Sequence, residues 1–248
     1  PGLLNKSFSM SVHASAPINA ERAMYFSLGD AFYKCGTDSS GVEAPSTQWF
    51  IAEGHASATF SEYILLSNPN PSATTATIRF LRPSGPVITQ DYTLTPNSRK
   101  TIYVNQVPGL EYTDVSASIT ATQPVVAERS MYWPGQWGEW YEGHNSTALS
   151  AIGTSWGLAE GETGGSRNTV SYILMANPTD QDAAVTVTIF RDNNQAPLLV
   201  TRTVRANSRL TLPSTELGLA SGETFGALVR STNGVPIAVE RAMYWDSA

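Results

Sequence analysis

Apolar residues recur at alternate positions through short stretches of this chain, and turn-forming residues separate one stretch from the next. In "TTATIRFLRP", Ala76, Ile78 and Phe80 fall on one side of a pleated strand. "ITQDYTLTP" has Ile88, Tyr92 and Leu94 among its apolar positions, "RKTIYVNQV" aligns Ile102 with Val104, and "DVSASITATQ" aligns Val115, Ala117 and Ile119. A period of two marks a strand with one buried face. "TQWFIAEG" is a short apolar run, "SEYILLSNP" stops at Asn-Pro, and "PVVAERSMYW" closes the set. Seven such strands, with turn residues about every 8–12 positions, predict an antiparallel sandwich of the immunoglobulin or fibronectin type III kind. No stretch carries a capped helical stripe; "STELGLASG", Ser214 to Gly222, offers a turn or two at most.

The pattern is written more than once. "AERAMYF", "AERSMYW" and "VERAMYW" place their glutamates at Glu21, Glu128 and Glu240, spaced by 107 and 112 residues. "WFIAEG" at Trp49 returns as "WGLAEG" at Trp156, "YILLSNP" at Tyr63 as "YILMANP" at Tyr172, and "NSR" at Asn97 as Asn207 to Arg209, all in the same order. A period of this size is a whole domain able to bury its own core, not a solenoid turn. The expected organisation is all-β: sandwich repeats over 45–134 and 154–248, joined by an aromatic-rich linker at 135–153. Residues 1–44 are then the closing hairpin and linker of a truncated preceding repeat, with "FSMSVHASAPINAERAMYF" parallel to "VSASITATQPVVAERSMYW". A hairpin alone is marginal in water, so it must dock on the next module or pair with another chain. A circularly shifted division, with modules near 7–107 and 114–215, is open as well.

In the pleat of the closing strand, Val125, Ala127, Arg129, Met131 and Trp133 share one face, and Val126, Glu128, Ser130 and Tyr132 the other. The first face is apolar apart from its arginine, which makes it the core face. A buried arginine needs a carboxylate. Glu53 and Glu160 of the two "AEG" motifs are the expected partners, so Arg22, Arg129 and Arg241 with these glutamates form the expected structural ion pairs. The competing reading is a glycosidase-like carboxyl pair. A contact present in every copy points to the fold instead, and no catalytic residue is assigned. Trp49 and Trp156 are expected between the sheets, and Asn68-Pro69 and Asn177-Pro178 as turn formers.

What differs between copies is the place to look for specialisation. "PGQWGEWYEGHNSTALSAIG" gathers Trp137, Trp140 and Tyr141 with His144, a candidate glycan-binding group; the plainer reading is packing between modules. His13, His55 and His144 form no cluster at ligand spacing, so neither a metal nor a cofactor is expected. G-x-S-x-G, P-loop, H-E-x-x-H, EF-hand and dinucleotide motifs are missing. Asn5 and Asn145 open N-x-S/T triplets.

Charge narrows the classes further. Across 248 residues the net charge is −6 and charged residues make up only 15%. There is no basic stripe for nucleic acid and no apolar run approaching the roughly 20 residues of a membrane span. Cys35 is the single cysteine, so no disulfide forms within the chain. The chain opens Pro1-Gly2 and reads as a fragment or processed product.

The combined set W-x-x-A-E-G, Y-I-L-x-x-N-P, N-S-R and E-R-x-M-Y-W resembles an uncharacterised family of tandem modules in large bacterial secreted or cell-surface proteins. The resemblance spans both units and the N-terminal segment. It implies an extracellular β-sandwich with a repetitive scaffold role, whose partners are neighbouring modules of the same polypeptide. Three functions are expected in order: a non-enzymatic structural or adhesive spacer, a carbohydrate-binding module using the aromatics of 135–153, and a strand-exchanging filament subunit whose terminal hairpin pairs with copies of itself.

Overall fold

The computed structural model describes residues 2–3, 6–26, 35–135, 138–192 and 195–246. The chain is all-β and antiparallel; among the described residues the only helices are two single 3-10 turns, Val104–Gln106 and Ser214–Glu216. A hairpin comes first: β1 (Glu21–Phe26) and β2 (Cys35–Ser40). The first module follows with β3 (Ser46–Ile51), β4 (His55–Ala56), β5 (Ser61–Asn68), β6 (Thr74–Leu81), β7 (Ile88–Leu94), β8 (Ser98–Tyr103), β9 (Thr113–Asp114), β10 (Ser116–Gly135) and β11 (Gly138–Thr147). The second holds β12 (Ser155–Leu158), β13 (Glu162–Gly164), β14 (Thr169–Asn177), β15 (Ala183–Arg191), β16 (Leu198–Val204), β17 (Ser208–Pro213), β18 (Glu223–Ser231) and β19 (Ala238–Tyr244).

Both modules use one plan. In the first, β7, β6, the early part of β10 and β3 form one sheet, and β8, β5, the late part of β10 and β11 form the other. The strand β10 runs through both, with a register break between Thr120 and Val125 where it crosses over. In the second, the same path is cut at residues 232–237 into β18, beside β15 and β12, and β19, beside β14. The sheets curl into half-barrel sandwiches, as the alternating pattern predicts.

The period-two residues fill the interior. Trp49, Ile78, Phe80, Leu94, Val115 and Ile119 are buried in the first core, and Ile173, Val187, Ile189, Val204 and Val229 in the second. Each full burial of such a side chain contributes about 1.5–3 kcal/mol. Both tryptophans clamp the crossover: Trp49 Nε1 donates to the Val125 carbonyl at 2.8 Å and Trp156 Nε1 to that of Ile237 at 2.9 Å. Both Asn-Pro asparagines hold turns through the side-chain amide, Asn68 to the Ser72 and Thr95 carbonyls and Asn177 to those of Gln181 and Val204.

Two expectations change. The stretch read as a linker is for most of its length the strand β11, and it pairs with β10 in the register that β2 keeps with β1: Glu128 faces Thr147 as Glu21 faces Ser40, and Trp133 faces Glu142 as Phe26 faces Cys35. The N-terminal hairpin is therefore β1–β2, not a pairing within residues 1–26. Residues 6–20 form no strand, and Phe8, Met10 and Val12 are exposed. Their counterparts Val115, Ala117 and Ile119 are buried because β3 and β6 lie beside them.

Candidate functional site

The site is the junction between repeats, and the heptad builds it. Alternate residues of a strand face opposite ways, so Glu and Tyr of E-R-x-M-Y-W point to one side and Arg and the last aromatic to the other. The N-terminal hairpin packs on the first module with Arg22 Nη1 donating to Glu128 Oε2 at 2.6 Å and Phe26 edge-on to Tyr132, centroids 5.4 Å apart. One repeat later the same geometry recurs: Arg129 lies 3.8 Å from Glu240, and Trp133 meets Tyr244 at 5.3 Å. Serines accompany each pair, Ser39 accepting from Arg22 at 2.9 Å and Ser146 donating to Glu240 at 3.3 Å. Glycine at Gly143 lets the layers meet, since a Cβ there would stand 2.8 Å from the Tyr132 ring and 2.9 Å from Phe26.

Arg129 is the centre of the larger junction and is fully buried. Its Nη2 donates to Glu53 Oε2 and lies 3.1 Å from His144 Nδ1. Tyr244, from the second module, donates to Glu53 Oε1 at 3.0 Å. His144 Nδ1 is also 3.3 Å from Glu53, so it accepts from Arg129 when bare and donates to Glu53 when it carries a proton. Burial works to raise the Glu53 pKa, but the Arg129 charge and the bonds from His144 and Tyr244 outweigh it and hold the group at about 2. Burial pushes Glu240 up, against the pull of Arg129, while the Ala52 N–H donates to its Oε1 at 2.7 Å.

A second polar group adjoins the first. Arg209, the arginine of the later N-S-R, reaches from β17 into the first module and donates to the Gly54 carbonyl at 3.1 Å. It pairs with Asp114 Oδ2 at 3.1 Å, which also accepts from Thr211, while His55 Nδ1 meets Asp114 Oδ1 at 2.8 Å. Burial raises Asp114, but His55 and Arg209 bring it below its usual value. Glu62 lies buried beside them with no hydrogen-bond partner at Oε2. Burial drives its pKa to about 8, with Arg129 and Arg209 pulling down and Glu53 and Asp114 pushing up. A carboxyl at that value is mostly protonated at pH 7. The rest of the joint is apolar, with Phe50, Ala52 and Leu81 against Leu174, Ala176, Ala238 and Ala242.

The sequence-selected residues divide as follows. Arg129 meets Glu53, and Arg241 meets Glu160 at 2.9 Å. Arg22 instead meets Glu128 of the following repeat. The Arg129–Glu53 pair is buried, whereas side-chain exposure is 32% for Arg241 and 70% for Glu160. His144 belongs to the junction. Trp137 lies outside the described residues, and only the backbone of Trp140 and Tyr141, within β11, is described. Glu62, Asp114, Arg209 and Tyr244 escaped the sequence reading; the repeated N-S-R and the parity of Glu and Tyr in the heptad were the signals for Arg209 and Tyr244. Asn145 is buried within β11, which leaves no room for a glycan there.

Two carboxyls with divergent pKa values are the raw material of acid–base chemistry. Here both Glu53 and Glu62 are 2% exposed or less and closed in by the second module. Among the described residues no group of three or more His, Cys, Asp or Glu is placed to hold a metal ion, and no helix is long and apolar enough to cross a membrane.

No family model matches the chain, and no curated protein matches it. Among solved structures, 21 chains match. The crystal structure of Thermotoga maritima 1070 is 13% identical, covering 43% of this chain and 96% of that one, with a TM-score of 0.40. The Anabaena sensory rhodopsin transducer is 27% identical over 38% of this chain and 91% of its own, with a TM-score of 0.32. The major pilin from Streptococcus pyogenes is 9% identical over 82% of this chain and 83% of its own, with a TM-score of 0.22. None of these three superpositions is close enough to carry a functional argument.

Proposed function

We propose that the chain is a non-enzymatic structural or adhesive repeat of an extracellular bacterial surface protein, acting as a spacer whose modules are locked at fixed angles. The observation that supports this reading is the use of one heptad as the coupler at successive joints, Arg22 to Glu128 and Arg129 to Glu240. A reactive pair has no need to recur at every joint, whereas a spacer does. The family resemblance of the repeat motifs supports the extracellular setting, and the apolar contact between modules supports stiffness, because a buried interface resists hinge motion.

The test is a glycan and cell-wall polymer binding screen on the full chain, with small-angle scattering in parallel. The expected result is no saturable binding and a scattering profile unchanged between low and high salt, since the charges are buried at the Arg129 joint and partly buried at the Arg22 joint. Saturable binding of a defined glycan, or the profile of freely hinged modules, would overturn the proposal.

A further inference from the structure

Asn233-Gly234 is the only place in the chain where glycine follows asparagine. It stands in the break at residues 232–237, where the first module instead runs one continuous strand. Thr232, Asn233 and Gly234 are exposed. Gly234 has φ +79°, and nothing lies within 4 Å of where a Cβ would stand, so neither a side chain nor a neighbour crowds that residue. Among the described residues nothing accepts a hydrogen bond from its backbone N–H.

The Asn233 amide is held in a defined setting. Its Oδ1 accepts from the Ala184 N–H at 3.1 Å and from Ser231 Oγ at 3.1 Å, while Nδ2 donates to the Asp182 carbonyl at 2.8 Å. Two donors on one amide oxygen draw electrons away from Cγ, and they remain in place for the negative charge that gathers on that oxygen under attack. Thr232 anchors the preceding residue, with its N–H on the Ala184 carbonyl at 2.7 Å and its Oγ1 on the same oxygen at 3.1 Å. The turn is therefore fastened to the start of β15 as far as Asn233 and unfastened at Gly234.

We propose that Asn233 is a self-modification site, where the Gly234 nitrogen attacks Asn233 Cγ and the side-chain amide is converted to a carboxylate. The N–Cγ bond forms as the Cγ–Nδ2 bond breaks, and Nδ2 leaves as ammonia with the proton from Gly234. A cyclic imide remains. Water then adds to one of its carbonyls: opening at Cγ gives aspartate, and opening at the main-chain carbonyl gives isoaspartate. The only co-reactant is water, and adjacency in the chain makes the attack intramolecular. Either product removes the donor that Asp182 accepts from and sets oxygen against oxygen there. Isoaspartate also lengthens the main chain. Both changes release the connection between β18 and β19 from β15, and neither reverses by itself. This chemistry is independent of the spacer reading.

Peptide mapping by mass spectrometry tests it, on the full chain held at mildly alkaline pH and sampled over time. Asn233 is expected to convert ahead of the other asparagines, and to give both aspartyl and isoaspartyl peptides, which direct hydrolysis of the amide does not. Ser231→Ala removes one donor from Oδ1 and should slow the conversion about three- to tenfold, the worth of one hydrogen bond. Ser231→Thr keeps the hydroxyl and should keep the rate. The converted chain, separated from the parent by its added charge, should unfold at a lower temperature. Asn233 intact while other asparagines convert, aspartate without isoaspartate, or the same rate in Ser231→Ala as in the parent overturns the proposal.

Discussion

Replacing Glu62 with glutamine isolates a single buried proton. The side chain is 1% exposed, and its backbone N–H donates to Asn105 Oδ1 at 2.9 Å, which fixes it in place. The group ordinarily titrates at 4.5 and is pushed to about 8 in the folded chain, first by burial. Between those values the unfolded chain has released a proton that the folded chain keeps. Stability is therefore full below pH 4.5 and is lost as pH rises through 8. At about 1.4 kcal/mol per pH unit, the loss amounts to about 5 kcal/mol for the first module. Glu62→Gln has the same shape and no charge at any pH. The variant should match the parent near pH 4 and exceed it by about 5 kcal/mol at pH 9. Urea unfolding at a series of pH values measures this, and titrating groups distant from the joint cancel in the difference between the two proteins. Parallel curves for parent and variant, or a variant less stable at pH 9, would refute the assignment of Glu62 as a buried neutral acid.

Other outcomes follow from the same joint. Arg129→Met strands Glu53 and Glu240 without their central cation and should cost about 3–5 kcal/mol, read by calorimetry as a lower first transition. Glu53, held at about 2 against an ordinary 4.5, contributes stability that is present above pH 4.5 and is lost as pH falls through 2. An acid titration by circular dichroism should show this step, and Glu53→Gln should remove it. Gly54→Ala places a Cβ against Glu62 Oε1 and the Val115 carbonyl, so it should destabilise by about 1–3 kcal/mol or more in chemical denaturation. Gly157→Ala, with nothing within 4 Å of its Cβ, is the control and should be close to neutral.

Much of the fold was legible because period two survives in strands with one buried face. Ala76, Ile78 and Phe80 were assigned inward from spacing alone, and all three are buried. The heptad's parity likewise separated Arg129 from Glu128. The joint was less legible because its contacts are long-range: Arg22 finds Glu128, and Arg209 reaches Gly54 across much of the chain. No local pattern encodes such a meeting. The strand β11 was missed since "GEWYEGHNST" has no apolar alternation; it is held by pairing with β10 and by packing under the N-terminal hairpin, with Gly143 opposite Tyr132. Residues 8–12 failed the other way. They alternate like a strand, but a strand needs neighbours, and those that serve Val115 to Ile119 come from earlier in the repeat.

The strand β10 has a mechanical meaning. It is one covalent line of 20 residues hydrogen-bonded to β3 and β6 on one side of the crossover and to β5 and β11 on the other. In the second module the same line is broken at residues 232–237. Single-molecule pulling should then show one rupture for the first module and two for the second; two equal patterns would contradict this. A load entering the first module spreads into both of its sheets at once, so that module is the stiff element of the chain, and the second is where tension would first be let out.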